Sequence, residues 1–339
     1  MLAIGIIYVV MGHNYQPAIF LLPAYTFQVA IFFFVSGYFF KVQTGFKNKM
    51  AWTKKKALNL LIPYFIYNAF YAALTYYLFS RGVSLGEKFT FYNFFIVPFI
   101  DGHQYFLYLA AWFVPQLFLI HLSAQLLIFK DKKTYLYILL AISLFLAALF
   151  ISRYKLTQGN ILLILGRTAF GLSFYLFGKI FSIYEENIKK YLLRPETFFI
   201  AYLLYVSLGS FFGSFNYSLV FADFSGSAFA TLTGTALAII MIYIISDHVG
   251  RAVSDNSLIL KIGRNTYSIM ANHLLVFFGL NYLFYRFHLL PPASLSNVFA
   301  HYNVERLWFI YLILGIGIPL LFSLRLNKFK KKIFLNKLS

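Results

Sequence analysis

Two histidines, His13 and His273, stand in stretches apolar enough to be buried in lipid, LAIGIIYVVMGHNY and SIMANHLLVFF. An ionisable side chain is costly inside a bilayer, so each predicts a polar interior faced by its ring. A neutral imidazole there can take a proton from a hydroxyl or carry a transferred group itself. Two plainer readings stay open: a helix-end histidine wetted by interfacial water for His13, and a satisfied bundle-core histidine for His273. Gly12 removes a side chain beside His13 and Asn14 adds a hydrogen-bonding group. His273 follows Tyr267 and Asn272 on an otherwise apolar helix.

Arg167 is the other conspicuous charge in an apolar run, and it needs a carboxylate, backbone carbonyls or an anionic substrate as partner. The neighbouring spans offer no Asp or Glu at its depth, which favours a substrate or a developing oxyanion; snorkelling to headgroups is the alternative. His121, in WFVPQLFLIHL, reads as packing rather than chemistry. His103, His248, His288 and His301 fall in loops with no informative company. The histidines make no HxxxH or HxxE spacing within a span, so no metal site is expected. No GxSxG occurs, so no serine elbow is expected. Ser36-Gly37, in FFFVSGYFF, reads as a small-residue notch that admits another helix or a ligand.

The elements that must position these residues are set by composition. The chain has 339 residues, is 61% hydrophobic and 12% charged, and its mean hydropathy is +0.74. No soluble domain covers that much apolar surface, so the class is an all-α integral membrane protein. Punctuated apolar runs give about ten spans, near 1–20, 22–40, 57–79, 105–128, 134–151, 159–182, 196–213, 227–246, 258–284 and 306–325. The first twelve residues lack a basic leading region, so no cleavable signal peptide is expected.

The net charge of +19 reflects orientation rather than nucleic acid, which is not expected as a partner. Of the 29 Lys and Arg, 21 lie in alternate inter-span segments, at 41–56, 130–133, 189–194, 251–264 and from Arg325 onward. By the positive-inside rule those segments and both termini are cytoplasmic. The domain layout is then a membrane domain over 1–325 and a basic tail over 326–339. On this layout His13 and His273 lie about 18 Å and about 16–17 Å up two spans running the same way. Arg167 lies roughly 12 Å from the opposite surface. Zero cysteines exclude disulfides and thiolate chemistry.

Five segments, taken together and in order, resemble the acyltransferase 3 family of integral-membrane O-acyltransferases. GIIYVVMGHN is similar to the family's apolar run ending in GH. FFFVSGYFF resembles its FFFxSGYF segment, and KKKALNLLIPYF its basic entry to an LxPYF helix. YLAAWFVPQLFLIHL resembles the WFLxxLF segment, and RNTYSIMANHLLV the late SxxxYxxH helix. The likeness is closer to the fucose 4-O-acetylase-like and surface-polysaccharide branch than to members with an added soluble domain. Leu2 and Ala3 stand where the family commonly has an Arg or Lys, so no role for that charge carries over. The basic pair ahead of the third span is lysine, which lacks the bidentate fork of arginine.

The resemblance implies transfer of an acetyl or related short acyl group from acyl-CoA, a co-substrate with no resident cofactor, to a sugar hydroxyl of a surface or exported polysaccharide. It implies a multi-pass protein of a bacterial cytoplasmic membrane, with polysaccharide synthesis or export machinery as a possible neighbour. His13 would be the base or acyl carrier, and His273 would orient the acceptor or relay a proton. Lys54, Lys55 and Lys56 would attract CoA phosphates. Arg167 or Tyr267 would stabilise the carbonyl oxygen as it gains charge, with Asn14 and Ser36 also on the substrate. Two competitors remain: a glycan or lipid-linked sugar transporter or flippase, and a chemically inert synthase subunit.

Overall fold

The computed structural model describes residues 1–15, 22–128, 133–154, 160–213, 216–224 and 227–335. Its helices are α1 (Leu2–Gly12), α2 (Ala30–Tyr38), α3 (Phe46–Ser80), α4 (Phe91–Phe95), α5 (Val97–Ile100), α6 (Phe113–Leu127) and α7 (Thr134–Arg153). They continue with α8 (Asn160–Leu192), α9 (Pro195–Phe212), α10 (Ala228–Ala252), α11 (Leu258–Arg264), α12 (Thr266–Arg286) and α13 (Val304–Leu335). A 3₁₀ turn, Phe106–Trp112, leads directly into α6. No strand occurs among the described residues, and the protein is an all-α polytopic bundle with eight helices long and apolar enough to cross a membrane. Their outer faces carry Leu139, Leu146, Phe199, Leu203, Ile313 and Leu321, the apolar surface that lipid requires.

The first two spans differ from the sequence expectation. At 11 and 9 residues, α1 and α2 reach only about 16 Å and about 14 Å, short of the roughly 30 Å hydrocarbon core. Residues 16–20 of the expected first span lie outside the described residues, as do 130–132 of a basic segment and the last four of the tail. The rest of the tail continues α13 to Leu335.

Non-helical backbone at membrane depth needs its polar groups met within the protein. The described connection from Leu22 to Val29 is irregular, with Leu22, Ala24 and Thr26–Gln28 buried and Pro23 and Tyr25 exposed. Its carbonyls are taken up one by one. Thr26 donates to Pro23 O at 2.8 Å, Thr235 to Thr26 O at 2.8 Å, and the Tyr217 backbone N–H to Tyr25 O at 2.8 Å. Tyr25 in turn donates its hydroxyl to Gly12 O at 2.6 Å.

Close helix packing rests on small residues. A Cβ built on Gly37 would fall 1.8 Å from Tyr175 O, and one on Gly178 1.9 Å from Phe34 O, so α2 and α8 meet backbone to backbone. The Ser36-Gly37 notch therefore admits α8 on its glycine side. On the other side of the molecule α1 runs parallel to α12. Ala3 lies against Gly263 of α11, which leads into α12, and His13 against His273 of α12, ten residues further along each segment.

One end of the bundle gathers the Lys and Arg. There Met1 meets Ser246, Lys189 meets Asp247, and Lys56 meets His121. The opposite end is built from the loops around Tyr25, Asp101, Val220 and Phe299.

Candidate active site

A cavity of about 1380 Å³ runs between α1, α2, α3, α6, α8 and α12, with Lys41, Trp52 and Lys56 at its basic end and His103, Phe221, Asp223 and Phe299 at the other. It exceeds the roughly 300–1,000 Å³ of an ordinary small-molecule pocket, which leaves room for two substrates at once. His13 lies on its wall.

His13 is the residue at which α1 ends, and its position makes its imidazole the end of a hydrogen-bonded chain. His273, fully buried on α12, directs Nδ1 at the carbonyls of Ile269 and Met270, 3.0 and 2.9 Å away. Carbonyls only accept, so Nδ1 carries the hydrogen and Nε2 holds the lone pair. That Nε2 lies 3.4 Å from His13 Nδ1. His13 Nδ1 also lies 2.8 Å from Val9 O, so it too carries the hydrogen, shared between Val9 O and His273. The unshared pair of His13 is left on Nε2. Each tautomer fixes the next, and the outcome is an imidazole with a basic nitrogen on a cavity wall.

The structure therefore joins the two histidines that the sequence singled out, with ring centroids 5.0 Å apart. It adds a third that sequence reasoning passed over. His301 donates from Nε2 to the backbone carbonyl of His13 at 2.9 Å and packs between Phe277 and Tyr311. Burial pushes its pKa below the ordinary histidine range. His301 thus holds the main chain of His13 in place, while Phe299 stacks near its ring with centroids 6.1 Å apart. The only sequence signal for either was the aromatic character of the long segment 285–305.

The remaining expected site residues divide. Ser36 and Tyr267 line the cavity. The hydroxyls of Tyr108 and Tyr267 lie 3.1 Å apart, and Tyr108 also reaches Tyr64 O at 3.3 Å. Asn14 does not line the cavity; its amide donates to Trp308 O at 2.8 Å and ties the end of α1 to α13.

Arg167 does not line the cavity either. It is 2% exposed, lies over the Trp112 ring at 4.8 Å, and donates to three backbone carbonyls. Nη1 reaches Ile100 O at 3.0 Å, Nη1 and Nη2 reach Asp101 O at 3.2 Å, and Nε reaches Val220 O at 3.1 Å. Nη2 also meets Val220 O. The partner it needed is main chain from two loops, which it fastens together at the non-basic end of the cavity.

Of the three lysines, one faces inward. Lys54–Lys56 lie on α3 rather than in a loop, where successive side chains point about 100° apart. Lys54 and Lys55 are exposed, and Lys56 is half-buried on the cavity wall. An ammonium only donates, so Lys56 Nζ gives a hydrogen to His121 Nε2 at 3.4 Å, and His121 Nδ1 donates to Tyr175 OH at 3.0 Å. His121 stands behind the wall and aims Lys56, which also lies over Trp52 at 5.4 Å.

His13, paired with His273, thus lies on the wall of a cavity that carries Lys41 and Lys56 at one end. No curated protein and no solved structure matches the chain. The family model for the acyltransferase domain matches residues 3–324. By that match over nearly all its length, on an all-α membrane fold, the chain belongs to the acyltransferase 3 family and is a membrane acyltransferase.

Proposed function

We propose that the protein moves an acetyl or related short acyl group from acyl-CoA to a sugar hydroxyl of a cell-surface or exported polysaccharide. The observation that carries this is the tautomer chain from Met270 O through His273 to His13, which leaves a lone pair on His13 Nε2 at the cavity. By the positive-inside rule the Lys56 end faces the cytoplasm, the side on which acyl-CoA is found. Lys56, aimed by His121, attracts a phosphate of the donor there, and Lys41 adds a second charge on the same wall.

In the transfer, His13 Nε2 takes the hydroxyl proton as that oxygen bonds to the thioester carbonyl carbon. The C–S bond then breaks, and the imidazolium returns the proton to the departing thiolate. His273 Nε2 accepts from His13 Nδ1–H throughout, and that bond strengthens as His13 becomes charged. His273 is in this account the group that orients the base.

The test is membranes bearing the wild type or His13→Ala at equal expression, given radiolabelled acetyl-CoA and a crude surface-glycan extract. The expected result is base-labile O-acetyl label from the wild type and none from the variant. Equal label from both would overturn the role of His13. No label from either would shift the reading to a transporter, tested next by flux of labelled glycan into proteoliposomes without acyl donor.

A further inference from the structure

The non-basic end of the cavity carries a second, separately built histidine. The Asp101 carboxylate pairs with Nδ1 of His103, so Nδ1 carries the hydrogen, and the neutral form of the ring presents a lone pair on Nε2. That Nε2 is buried and has no protein partner among the described residues, while the imidazole lines the cavity. The pair is held firmly. The Asp101 carbonyl is one of those gripped by Arg167, and so is that of Val220. Phe221, next along that second loop, lies 5.6 Å from the His103 ring. Hydrogen bonding to His103 also holds the Asp101 carboxyl below the usual carboxylate range, so it stays ionised.

Charge along the cavity wall is divided. Among the described residues Lys41 and Lys56 line the basic end, and Asp223 lines the end where His103 stands. A buried acceptor atom without a partner is costly unless a ligand supplies a donor. A hydroxyl supplies one. An anionic group in the same place would meet the carboxylate of Asp223.

We propose that this end is the acceptor subsite: His103, oriented by Asp101, accepts a hydrogen bond from an acceptor hydroxyl, and Asp223 excludes acceptors with a negative charge beside it. The acceptor class is an uncharged, hydroxyl-rich sugar, with Phe221 offering an apolar face to its C–H groups. This rests on the O-acyl transfer reading for its place in the reaction, though the binding itself can be measured without acyl chemistry.

The test is equilibrium dialysis of the full-length protein in lipid nanodiscs against p-nitrophenyl β-glucoside and p-nitrophenyl β-glucuronide, two probes that differ by one carboxylate. The wild type is expected to hold the glucoside about tenfold more tightly than the glucuronide. His103→Phe, which keeps a ring beside Phe221, weakens glucoside binding roughly three- to tenfold, the range of one hydrogen bond. Asp223→Asn narrows the difference between the two glycosides. In turnover, the His103→Phe loss falls on the acceptor KM.

Equal binding of the two glycosides, no retention of either, or unchanged glucoside binding by His103→Phe would each overturn the proposal. So would a loss confined to kcat. A wild type that binds glucoside as expected but releases no thiol from acyl-CoA would refute the O-acyl transfer reading and leave the subsite standing.

Discussion

Removing His273 tests the hydrogen-bonded chain at the link behind His13. In His273→Ala the His13 ring keeps its 2.8 Å bond to Val9 O and loses the 3.4 Å contact to His273 Nε2. That contact matters most when His13 is an imidazolium, where a charge-assisted hydrogen bond contributes about 1.5–3 kcal/mol. At roughly 1.36 kcal/mol per tenfold change in rate, kcat should fall about 10- to 150-fold. The 3.4 Å separation is long for such a bond and favours the lower part of that range. KM for acyl-CoA should change little, because His273 lies behind His13 and away from Lys56.

Thiol release can be followed with a disulfide reagent, since the chain has no cysteine of its own to react. His273→Gln places an amide oxygen near the lost Nε2 and should recover most of the rate. A folded His273→Ala within twofold of wild type would refute the orienting role. So would a loss lying wholly in KM for acyl-CoA.

Three further outcomes follow from the packing. Arg167→Met leaves the carbonyls of Ile100, Asp101 and Val220 without their donor, at about 1–3 kcal/mol for each, and should lower the thermal midpoint with acyl-CoA KM unchanged. A stable Arg167→Lys with kcat down a hundredfold would instead return Arg167 to the reaction. Gly178→Leu drives a side chain into the Phe34 backbone and should cost about 3 kcal/mol or more, seen as loss of the monodisperse peak in size-exclusion chromatography.

The last outcome concerns pH. Burial lowers the pKa of His301 in the folded state, so the unfolded chain binds more protons below the ordinary value of about 6.5. Its contribution to stability is present above that pH and is lost as pH falls toward the lowered folded value. Wild-type thermal midpoints should therefore drop from pH 7 to pH 5 more steeply than those of His301→Asn. Parallel slopes would show that His301 does not titrate with unfolding.

Much was legible in the sequence because hydropathy and helix rise are one-dimensional quantities. Apolar run length alone gives an all-α membrane bundle, and counting residues up two parallel spans puts His13 and His273 at one depth, where the structure brings them into contact. The same counting overextends the first two helices. Pro23 interrupts an apolar run that hydropathy averages over, and the described break is tolerated because Thr26, Thr235 and Tyr217 donate to its carbonyls.

What only the tertiary structure decided is where each polar group points and what it meets. Three adjacent lysines look equivalent in sequence, yet the helical turn sends Lys56 alone into the cavity. Arg167 found its partners in carbonyls 53 and 67 positions away, which no local pattern records because every residue carries the same carbonyl. His301 reaches His13 across 288 positions from a loop with no motif. The two tautomers are set locally, by carbonyls three or four residues back along the chain, but only the tertiary fold brings the two rings together.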